Sequence, residues 1–417
     1  MTRRLRYLFR RRSLKGFPNA ELLSVYRDYG VVPKASRDDN FNRASENLDN
    51  YQLVRPGDLV VNKMKAWQGS VAVSNFEGIV SPAYFVFEST NQEYGRFLHY
   101  LLRSKPLIAK YASISKGIRP AQWDLDIDQF KDLTVDIPPI DAQVMIADFL
   151  DRENTKADAL ISKYARLIEL LDEMQTALIT QCVTKGIDSA ARMQDTGINW
   201  LGAVPAHWRV RPLKRFWTVT DCKHVTVDFV DTGIPLASVR EAQRFDLDLT
   251  NANQTTPEWY ATLIEGGRKP KRGDLIYCRN VSVGAATYVG TDEIFAMGQD
   301  VCLIHSDVDA RYLNYFLRSS AMHEQMTTMS IGVTFDRINV ADIRRLIITW
   351  PPVQEQAEIV EYLDRRVAKM ITLKAQLERA LNLVAEHRSA LIAAAVGGQI
   401  DVQQYRSGQC LSQKVTA

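Results

Sequence analysis

The sequence predicts an α/β (α+β) fold of two tandem domains, each followed by a long helix, with the two helices paired as an antiparallel coiled coil. The first observation is a repeated phrase: DIPPIDAQVMIADFLD at 136–151 and TWPPVQEQAEIVEYLD at 349–364 share six of sixteen residues. The second is a long helical pattern that begins with each phrase. The third is a set of strand and turn signals in the blocks that precede them.

Bulk composition bounds the class of protein. A chain of 417 residues is too long for one ordinary core, and its 46% hydrophobic and 24% charged residues are globular values. The net charge of +3 permits nucleic-acid binding through local patches without requiring it. No apolar run is long enough to span a bilayer. The five cysteines have neither zinc-site nor redox-motif spacing, so we expect reduced, mostly buried thiols and no metal site.

The repeat extends well beyond the phrase. At a constant offset of 213, residues 136–188 and 349–401 are identical at 18 of 53 positions without a gap. Upstream, RPGDL at 55–59 corresponds to KRGDL at 271–275, and RFLHYLLRS at 96–104 corresponds to RYLNYFLRS at 311–319. Such self-similarity indicates an internal duplication.

Each repeated segment predicts a long helix. The proline pairs 138–139 and 351–352 favour a start just after them, with Asp141 as a possible N-cap of the first helix. Gly186 and the pair 397–398 predict the ends. Forty residues would make a rod of roughly 60 Å. Apolar residues that recur at alternating steps of three and four positions predict a coiled-coil seam. Its members are Leu150, Leu160, Tyr164, Leu167, Leu171, Leu178, Leu363, Leu373, Leu377, Val384 and Leu391.

Two related halves are most simply placed by a pseudo-two-fold axis, which makes the helices antiparallel. A helix packed inside an ordinary bundle is the alternative. In the variable blocks, LVVNKM (59–64), AYFVFE (83–88), DLIYC (274–278) and DVCLIH (300–305) are strand-like, and each of the two Gly-Asp pairs predicts a turn before a strand.

The order of these motifs, found twice, resembles the specificity subunit of type I restriction–modification enzymes. PPVQEQ at 351–356 and GINWLGAVPAHWRVRPLKRF at 197–216 carry the resemblance, which covers nearly the whole chain. Two departures stand out. The first helix has Ala142 where the second has Glu355, and no WLGxVPxHW segment precedes RRLRYLF, which aligns with RPLKRFW. Either the chain begins late or the first domain lacks that segment.

The resemblance implies target recognition domains at 1–137 and 188–350, long helices at 138–187 and 351–401, and a disordered tail at 402–417. Each recognition domain would read one half of a bipartite, asymmetric site in double-stranded DNA. The helices would set the spacer and dock two modification subunits, to which restriction subunits join. S-adenosylmethionine is then expected in the modification subunit, and ATP and Mg²⁺ in the restriction subunit, in the cytoplasm of a bacterium or archaeon.

The residues themselves fit a non-catalytic subunit without a cofactor of its own. The chain has no [DNS]PP[YFW] amino-methyltransferase motif, no GxxxxGK[ST] phosphate loop and no HExxH pair. A loosely spaced nuclease site is not excluded by these motifs. A self-sufficient DNA-modifying or DNA-cleaving enzyme, and a coiled-coil adaptor without a DNA function, therefore stay open as alternatives.

Candidate DNA contacts are cations, amides and aromatic residues in loops that follow strands. A solvated surface loop, or a core aromatic residue for the tryptophan, is the alternative for each. In the first domain the candidates are Asn62, Lys63, Lys65, Trp67, Gln68, Lys116, Arg119 and Gln122; in the second they are Arg268, Lys269, Lys271, Arg272, Arg279, Asn280, Ser282, Thr334 and Arg337.

Overall fold

A computed structural model describes residues 1–27, 29–37, 45, 47–90, 93–117, 123–280, 284–305, 308–329 and 337–402. The tail predicted to be disordered lies outside the described residues from position 403 onward. The chain divides into two compact units: unit 1 comprises Met1–Ala165 and Arg379–Ala417, and unit 2 comprises Arg166–Glu378. Each unit therefore contains one mixed α/β domain and part of each long helix.

Unit 1 contains twelve described strands and five helices, of which the last continues into unit 2. The strands are β1 (Thr2–Arg4), β2 (Phe9–Arg12), β3 (Leu23–Tyr26), β4 (Gly30–Pro33), β5 (Gln52–Val54), β6 (Leu59–Asn62), β7 (Val71–Val73), β8 (Gly78–Val80), β9 (Tyr84–Ser89), β10 (Ser115–Lys116), β11 (Asp124–Leu125) and β12 (Thr134–Asp136). The helices are α1 (Leu5–Leu8), α2 (Gly95–Leu102), α3 (Lys105–Ser113), α4 (Ile127–Asp132) and α5 (Ile140–Lys185).

Unit 2 repeats this arrangement. Its strands are β13 (Met193–Asp195), β14 (Ala203–Pro205), β15 (Arg209–Pro212), β16 (Thr218–Asp221), β17 (Ile234–Ala237), β18 (Gln254–Thr255), β19 (Leu275–Cys278), β20 (Ala286–Tyr288), β21 (Ala296–Met297), β22 (Val301–His305) and β23 (Ile347–Trp350). Its helices are α6 (Pro257–Leu263), α7 (Arg311–Leu317), α8 (Ser320–Met329), α9 (Val340–Ile343) and α10 (Val353–Val396), the last of which continues into unit 1. Short 3₁₀ turns cover Lys34–Ser36, Ala66–Gln68, Leu213–Arg215 and Glu241–Gln243.

The central sheets of the two units have the same antiparallel topology. Unit 1 has the order β2-β9-β6-β7, and unit 2 has the order β16-β22-β19-β20. In unit 1, Val60 pairs with Val86 on one side and Ala72 on the other. In unit 2, Ile276 pairs with Leu303 and Thr287 in the same way. The four strands predicted from sequence are confirmed, and the duplication extends into the blocks whose sequences differ.

A short ladder closes each domain just before its long helix. The register Arg3↔Val135 joins β1 to β12, and the register Arg211↔Ile348 joins β15 to β23. The equivalent pairing agrees with the alignment of RRLRYLF with RPLKRFW. Because the closing strand leads directly into the long helix, it fixes the point at which that helix leaves the domain.

The two Gly-Asp pairs are turns stabilised by a buried carboxylate. Gly57 and Gly273 have positive φ angles of 89° and 95°, a conformation that glycine adopts without steric cost. Asp58 accepts the Arg55 N–H at 2.7 Å, and Asp274 accepts the Lys271 N–H at 2.8 Å. Burial raises the pKa of both carboxyls, so each turn positions an acid at the start of a central strand.

A buried glutamine stabilises the start of each long helix. The Gln143 amide donates to the Pro138 carbonyl at 2.9 Å, and the Gln356 amide donates to the Pro351 carbonyl at 2.9 Å. The prediction of Asp141 as an N-cap is wrong, because the helix begins one residue earlier, at Ile140. The glutamine side chain satisfies a carbonyl that precedes the helix, which gives the repeated PPxxxQ phrase a physical role.

The two long helices pack antiparallel in each unit. In unit 1, Arg388 donates to Asn154 at 3.0 Å and to Asp158 at 2.6 Å. In unit 2, Lys374 donates to Asp172 at 2.8 Å. As residue numbers rise along α5, their partners fall along α10, so the predicted antiparallel coiled coil is confirmed.

Three residues predicted for the coiled-coil seam are exposed. Leu160, Leu167 and Leu373 are 41%, 38% and 45% exposed. Their neighbours Ile161, Ile168 and Lys374 are more buried. The more buried stripe also includes Ala157 and Met370, and it contains the polar residues Asn154 and Arg388. Its members that were also predicted for the seam are Tyr164, Leu171, Leu178, Leu377, Val384 and Leu391. Leu150 and Leu363 are fully buried against their own domains.

Cys182, Cys222, Cys278 and Cys302 are buried and free, while Cys410 lies outside the described residues. Across the part of the chain that the structure describes, no helix combines the length and apolar character of a membrane span.

Candidate nucleic-acid interface

The loop after β6 is the first candidate surface. A 3₁₀ turn places Trp67 half-buried against Trp123, with ring centroids 4.8 Å apart, and the Trp67 indole donates to the Met64 carbonyl at 3.0 Å. Gly69 closes the turn with φ at 95°, where an added Cβ would approach Ile108 to 2.8 Å. The loop is therefore a packed platform and holds its side chains in fixed places.

The polar side chains of this loop differ in accessibility. Asn62 accepts the Met64 N–H at 3.0 Å. Lys63 donates to the Pro82 carbonyl at 2.6 Å and lies 4.8 Å from the Phe85 ring centroid. Gln68 is half-buried, whereas Lys65 is exposed, as is Lys116 on the neighbouring β10 ladder. The two exposed ammonium groups suit contacts with phosphates, which need charge without a fixed geometry.

The corresponding strand end in unit 2 is organised by an ion pair. Arg279, directly after β19, is 5% exposed; it pairs with Asp221 and donates to the Ile338 carbonyl at 3.3 Å. A buried guanidinium with these partners cannot reach a base edge without losing them. Arg279 therefore supports the loop and is not available for a base contact.

Asn280 and Arg337 lie beside this support. They form an isolated β-bridge with each other, and Arg337 pairs with Asp300 at 3.7 Å. Among the residues that the structure describes, Asp300 is the non-glycine residue with positive φ, at 60°. Its carbonyl accepts the Arg279 N–H at 2.9 Å. Left-handed backbone at a non-glycine residue is frequent at functional sites, and sequence reasoning missed Asp300 because no local motif marks it.

The basic run at 268–272 has two parts. Arg268 is half-buried and donates to the Asp221 carbonyl and the Glu265 carbonyl, each at 2.8 Å, so it is a structural residue. Lys269 and Lys271 are exposed. Arg272 pairs with Asp292 at 2.8 Å in an exposed ion pair, which is weak enough to exchange for a phosphate.

The remaining candidates, Arg119, Gln122, Ser282 and Thr334, lie outside the described residues. Asp221, Cys222 and His224 bring possible metal-ligand atoms within 4.8 Å of one another. Arg279 already pairs with Asp221, and burial raises the pKa of the Cys222 thiol, which disfavours the thiolate that a metal needs. This cluster fits an ion-paired support better than a metal site.

Comparison with known proteins assigns this duplicated frame to a family. The family model described as the type I restriction modification DNA specificity domain matches residues 15–169 and 248–383. The chain belongs to this family. The two matched segments correspond to the two copies of the frame, so the resemblance inferred from the motifs is confirmed.

Curated relatives are specificity subunits of type I restriction enzymes. The EcoKI specificity subunit of Escherichia coli strain K12 is 23% identical over 350 residues, covering 79% of this chain and 69% of that protein. The EcoBI subunit of Escherichia coli is 21% identical over 285 residues, covering 66% of this chain and 60% of that protein. The StySPI subunit of Salmonella potsdam is 23% identical over 312 residues, covering 70% of this chain and 63% of that protein.

Solved structures show the same fold. The HsdS subunit from Thermoanaerobacter tengcongensis is 16% identical with a TM-score of 0.53, covering 96% of this chain and 97% of that one. A chain solved in work on complex assembly and conformational transition of the type I R-M system is 16% identical with a TM-score of 0.66, covering 95% and 97%. The specificity family is non-catalytic and has no cofactor of its own, which accords with the missing motifs.

Proposed function

We propose that this specificity-family chain reads a bipartite, asymmetric site in double-stranded DNA, one half-site with each domain. The observation that carries this proposal is the contrast between the frame and the loops. Both central sheets have the same strand order, yet the packed Trp67 platform of unit 1 has the buried Arg279 and the left-handed Asp300 as its counterpart in unit 2. One frame with different loop chemistry is what two readers of different sequences require.

The accessible members of the candidate set define the proposed surface. Trp67 with Gln68 in unit 1, and Asn280 with Arg337 in unit 2, are proposed to approach base edges. The exposed cations Lys65, Lys116, Lys269, Lys271 and Arg272 are proposed to contact phosphates. Phosphate contacts orient a protein on the duplex, whereas groove contacts carry sequence information.

The long helices are proposed to set the spacer and to dock two methyltransferase subunits. Support comes from apolar residues that the helix pair leaves exposed at duplicated positions. Leu160 and Leu373 are equivalent in the two copies, as are Leu170 and Leu383, and all four are exposed. Apolar side chains repeated along an exposed helix flank fit partner helices. The catalytic S-adenosylmethionine site, and the ATP and Mg²⁺ sites, would then reside in the modification and restriction subunits.

The test is the methylated motif in host DNA. The chain is expressed with its modification subunit, and modified bases are sequenced genome-wide. The expected result is adenine methylation in a two-part motif with a fixed spacer, absent when either subunit is expressed alone. Methyl transfer by the purified chain alone would instead establish a self-sufficient enzyme, and a contiguous motif would contradict two independent readers.

A further inference from the structure

A three-residue joint fastens the first domain to its long helix. Arg96 and Tyr100 lie one turn apart on α2, and both bind the carboxylate of Asp151 on α5. Arg96 also reaches the exposed Asp148 at 3.1 Å. Two donors one turn apart on one helix, held by a single carboxylate on another, restrict both the separation and the relative rotation of the two helices.

The same joint is present in unit 2. Arg311 and Tyr315 lie one turn apart on α7 and both bind Asp364 on α10, at 2.9 Å and 2.6 Å. The Arg311 guanidinium also lies over the Phe245 ring, 5.0 Å from its centroid. The arginine and tyrosine are offset by 215 from their counterparts and the aspartate by 213. The joint has therefore been kept in both copies although the loops between its members differ in length.

The two tyrosines of the joint donate hydrogen bonds to carboxylates. Burial raises the pKa of Tyr100 and of Tyr315, so both phenols remain protonated donors at neutral pH. Charge-assisted hydrogen bonds are stronger and more directional than neutral ones. Since the closing ladder fixes where each helix begins, the joint is a second attachment about three helical turns further on. Two attachments along one helix define an angle.

In unit 1, hydrogen bonds connect the joint to the second long helix. In unit 2, the residue equivalent to the bridging asparagine is apolar. The Asn154 amide donates to the Tyr100 hydroxyl at 2.9 Å, and Arg388 on α10 donates to Asn154 at 3.0 Å. In unit 2 the equivalent of Asn154 is Val367, which is buried and apolar. The first domain is thus hydrogen-bonded, through two side chains, to both helices.

We propose that Asp151 and Asp364 are positioning residues that hold each recognition domain at a fixed angle on its long helix, and so determine which spacer lengths are accepted. This inference rests on the proposed function. A domain that can rotate on its helix would meet the DNA groove over a wider range of spacings. Changing the joint should therefore alter the tolerance for spacer length while leaving the choice of bases unchanged.

The experiment measures binding by the complex of this chain with its modification subunits. The DNA probes are duplexes that carry the motif found by modified-base sequencing, with the spacer at its native length, one pair shorter and one pair longer. A fourth duplex has the native spacer and one changed half-site base. The variants are Asp151→Ala and Tyr100→Phe in unit 1, and Asp364→Ala and Tyr315→Phe in unit 2. Each tyrosine variant removes only a hydroxyl group and should fold. It therefore tests the joint even if the corresponding aspartate variant fails to fold.

The matched controls are Asp148→Ala, which removes an exposed partner of the same Arg96, and Glu361→Ala, its equivalent on α10. Asp151→Asn serves as the conservative variant, because its amide oxygen can still accept from Tyr100. Loss of a hydrogen bond to a charged group typically changes an equilibrium about tenfold or more. We expect the preference for the native spacer to fall by about tenfold in the joint variants, to be partly restored in Asp151→Asn, and to be unchanged in the controls.

Discrimination against the changed half-site base should stay at the wild-type level in every variant. The inference is overturned if the joint variants keep the wild-type preference for the native spacer, whether or not their overall affinity falls. It is also overturned if base discrimination and spacer preference decline together. A wild-type complex that shows no bipartite motif would refute the proposed function itself, and that result is separate from either outcome for the variants.

Discussion

The carboxylate of Glu355 accepts a hydrogen bond from the indole nitrogen of Trp208 at 3.0 Å. It also lies 2.8 Å from the imidazole of His207. These partners come from the WLGxVPxHW segment, which packs on the start of α10. At the equivalent position of α5 stands Ala142, which cannot accept such a bond. The glutamate that distinguishes the second helix from the first is therefore matched to the tryptophan segment that it binds.

Replacing Glu355 by Ala should destabilise unit 2. The Trp208 indole is 6% exposed, and a buried donor that loses its acceptor costs about 1–3 kcal/mol. Hydrogen exchange of the backbone amides at 203–212 should accelerate accordingly. Gln354→Ala, at an exposed neighbouring position, is the control and should leave exchange unchanged. Equal exchange in both variants would mean that the carboxylate contributes nothing to this contact.

Replacing Ile161 by Ala should destabilise the helix pair more than replacing its neighbour Leu160. Ile161 lies on the inward stripe, and truncating a partly buried aliphatic side chain costs about 1–2 kcal/mol. Leu160 is exposed, so its truncation should change the free energy of unfolding by less than about 0.5 kcal/mol. Urea denaturation followed by circular dichroism compares the two. The reverse order would restore the seam predicted from sequence.

The double variant Leu170→Ala with Leu383→Ala should weaken association with the modification subunit. Both side chains are exposed at duplicated positions, so folding should be unaffected while each of the two proposed interfaces loses one apolar contact. Only a minority of interface residues cost about tenfold in affinity when truncated. For two equivalent interfaces weakened together, about tenfold is expected. Sedimentation velocity of the mixed subunits gives the measurement. Leu14→Ala, an exposed leucine outside the long helices, controls for the substitution itself and should associate normally.

Acidification should destabilise unit 1 through His99. Burial, and then the neighbouring Arg103 guanidinium, lowers the pKa of His99 to about 4. Because the folded state disfavours the charged imidazole, this contribution is fully present above pH ~6.5 and is lost as the pH falls toward 4. Between neutral pH and a pH below 4, this lowered pKa should reduce the free energy of unfolding by about 3 kcal/mol.

The measurement is a pair of unfolding curves at pH 7 and pH 5 for the wild type and His99→Gln. The variant should lose less stability on acidification than the wild type. His323→Gln removes an exposed histidine and should behave as the wild type does. A titration of the His99 ring by NMR near pH 6.5 would contradict the expected pKa.

Replacing residues 1–135 by the matching block of another family member should change only one half of the methylated motif. The two central sheets belong to separate units with separate cores, so their loops can read DNA independently. Sequencing of modified bases in a host with the hybrid and its modification subunit gives the result. The reciprocal replacement of residues 206–348 should change the other half. A change in both halves from either replacement would show that the domains do not read separately.

The long helices could be predicted from sequence because their signals are local: proline pairs, glycine ends and forty residues without either. The inward face could not. Leucine or isoleucine stands at both 160–161 and 167–168, so two apolar stripes share every second member. The real stripe also contains Asn154, Gln175, Lys374 and Arg388, which a hydrophobic pattern counts as interruptions.

The candidate DNA contacts show a similar limit. Arg279 looked like an accessible cation because it follows a strand, but its burial depends on Asp221, 58 residues earlier in the chain. The strained Asp300 and the joint at Asp151 likewise depend on partners that only folding brings together. Strand ends and loop composition were therefore predictable, whereas the division between supporting and accessible side chains was not.

The polar contacts between the long helices give α5 and α10 opposite chemical roles. The acids Asp158 and Asp172 stand on α5, and the bases Arg388 and Lys374 stand on α10. If two chains exchanged helices, α5 against α5 would set Asp172 opposite Ile161, the counterpart of Lys374, and leave its charge without a base. Two α10 helices would likewise lack the acids. These charges therefore favour the pairing of an α5 helix with an α10 helix, as in this chain, over the pairing of two like helices.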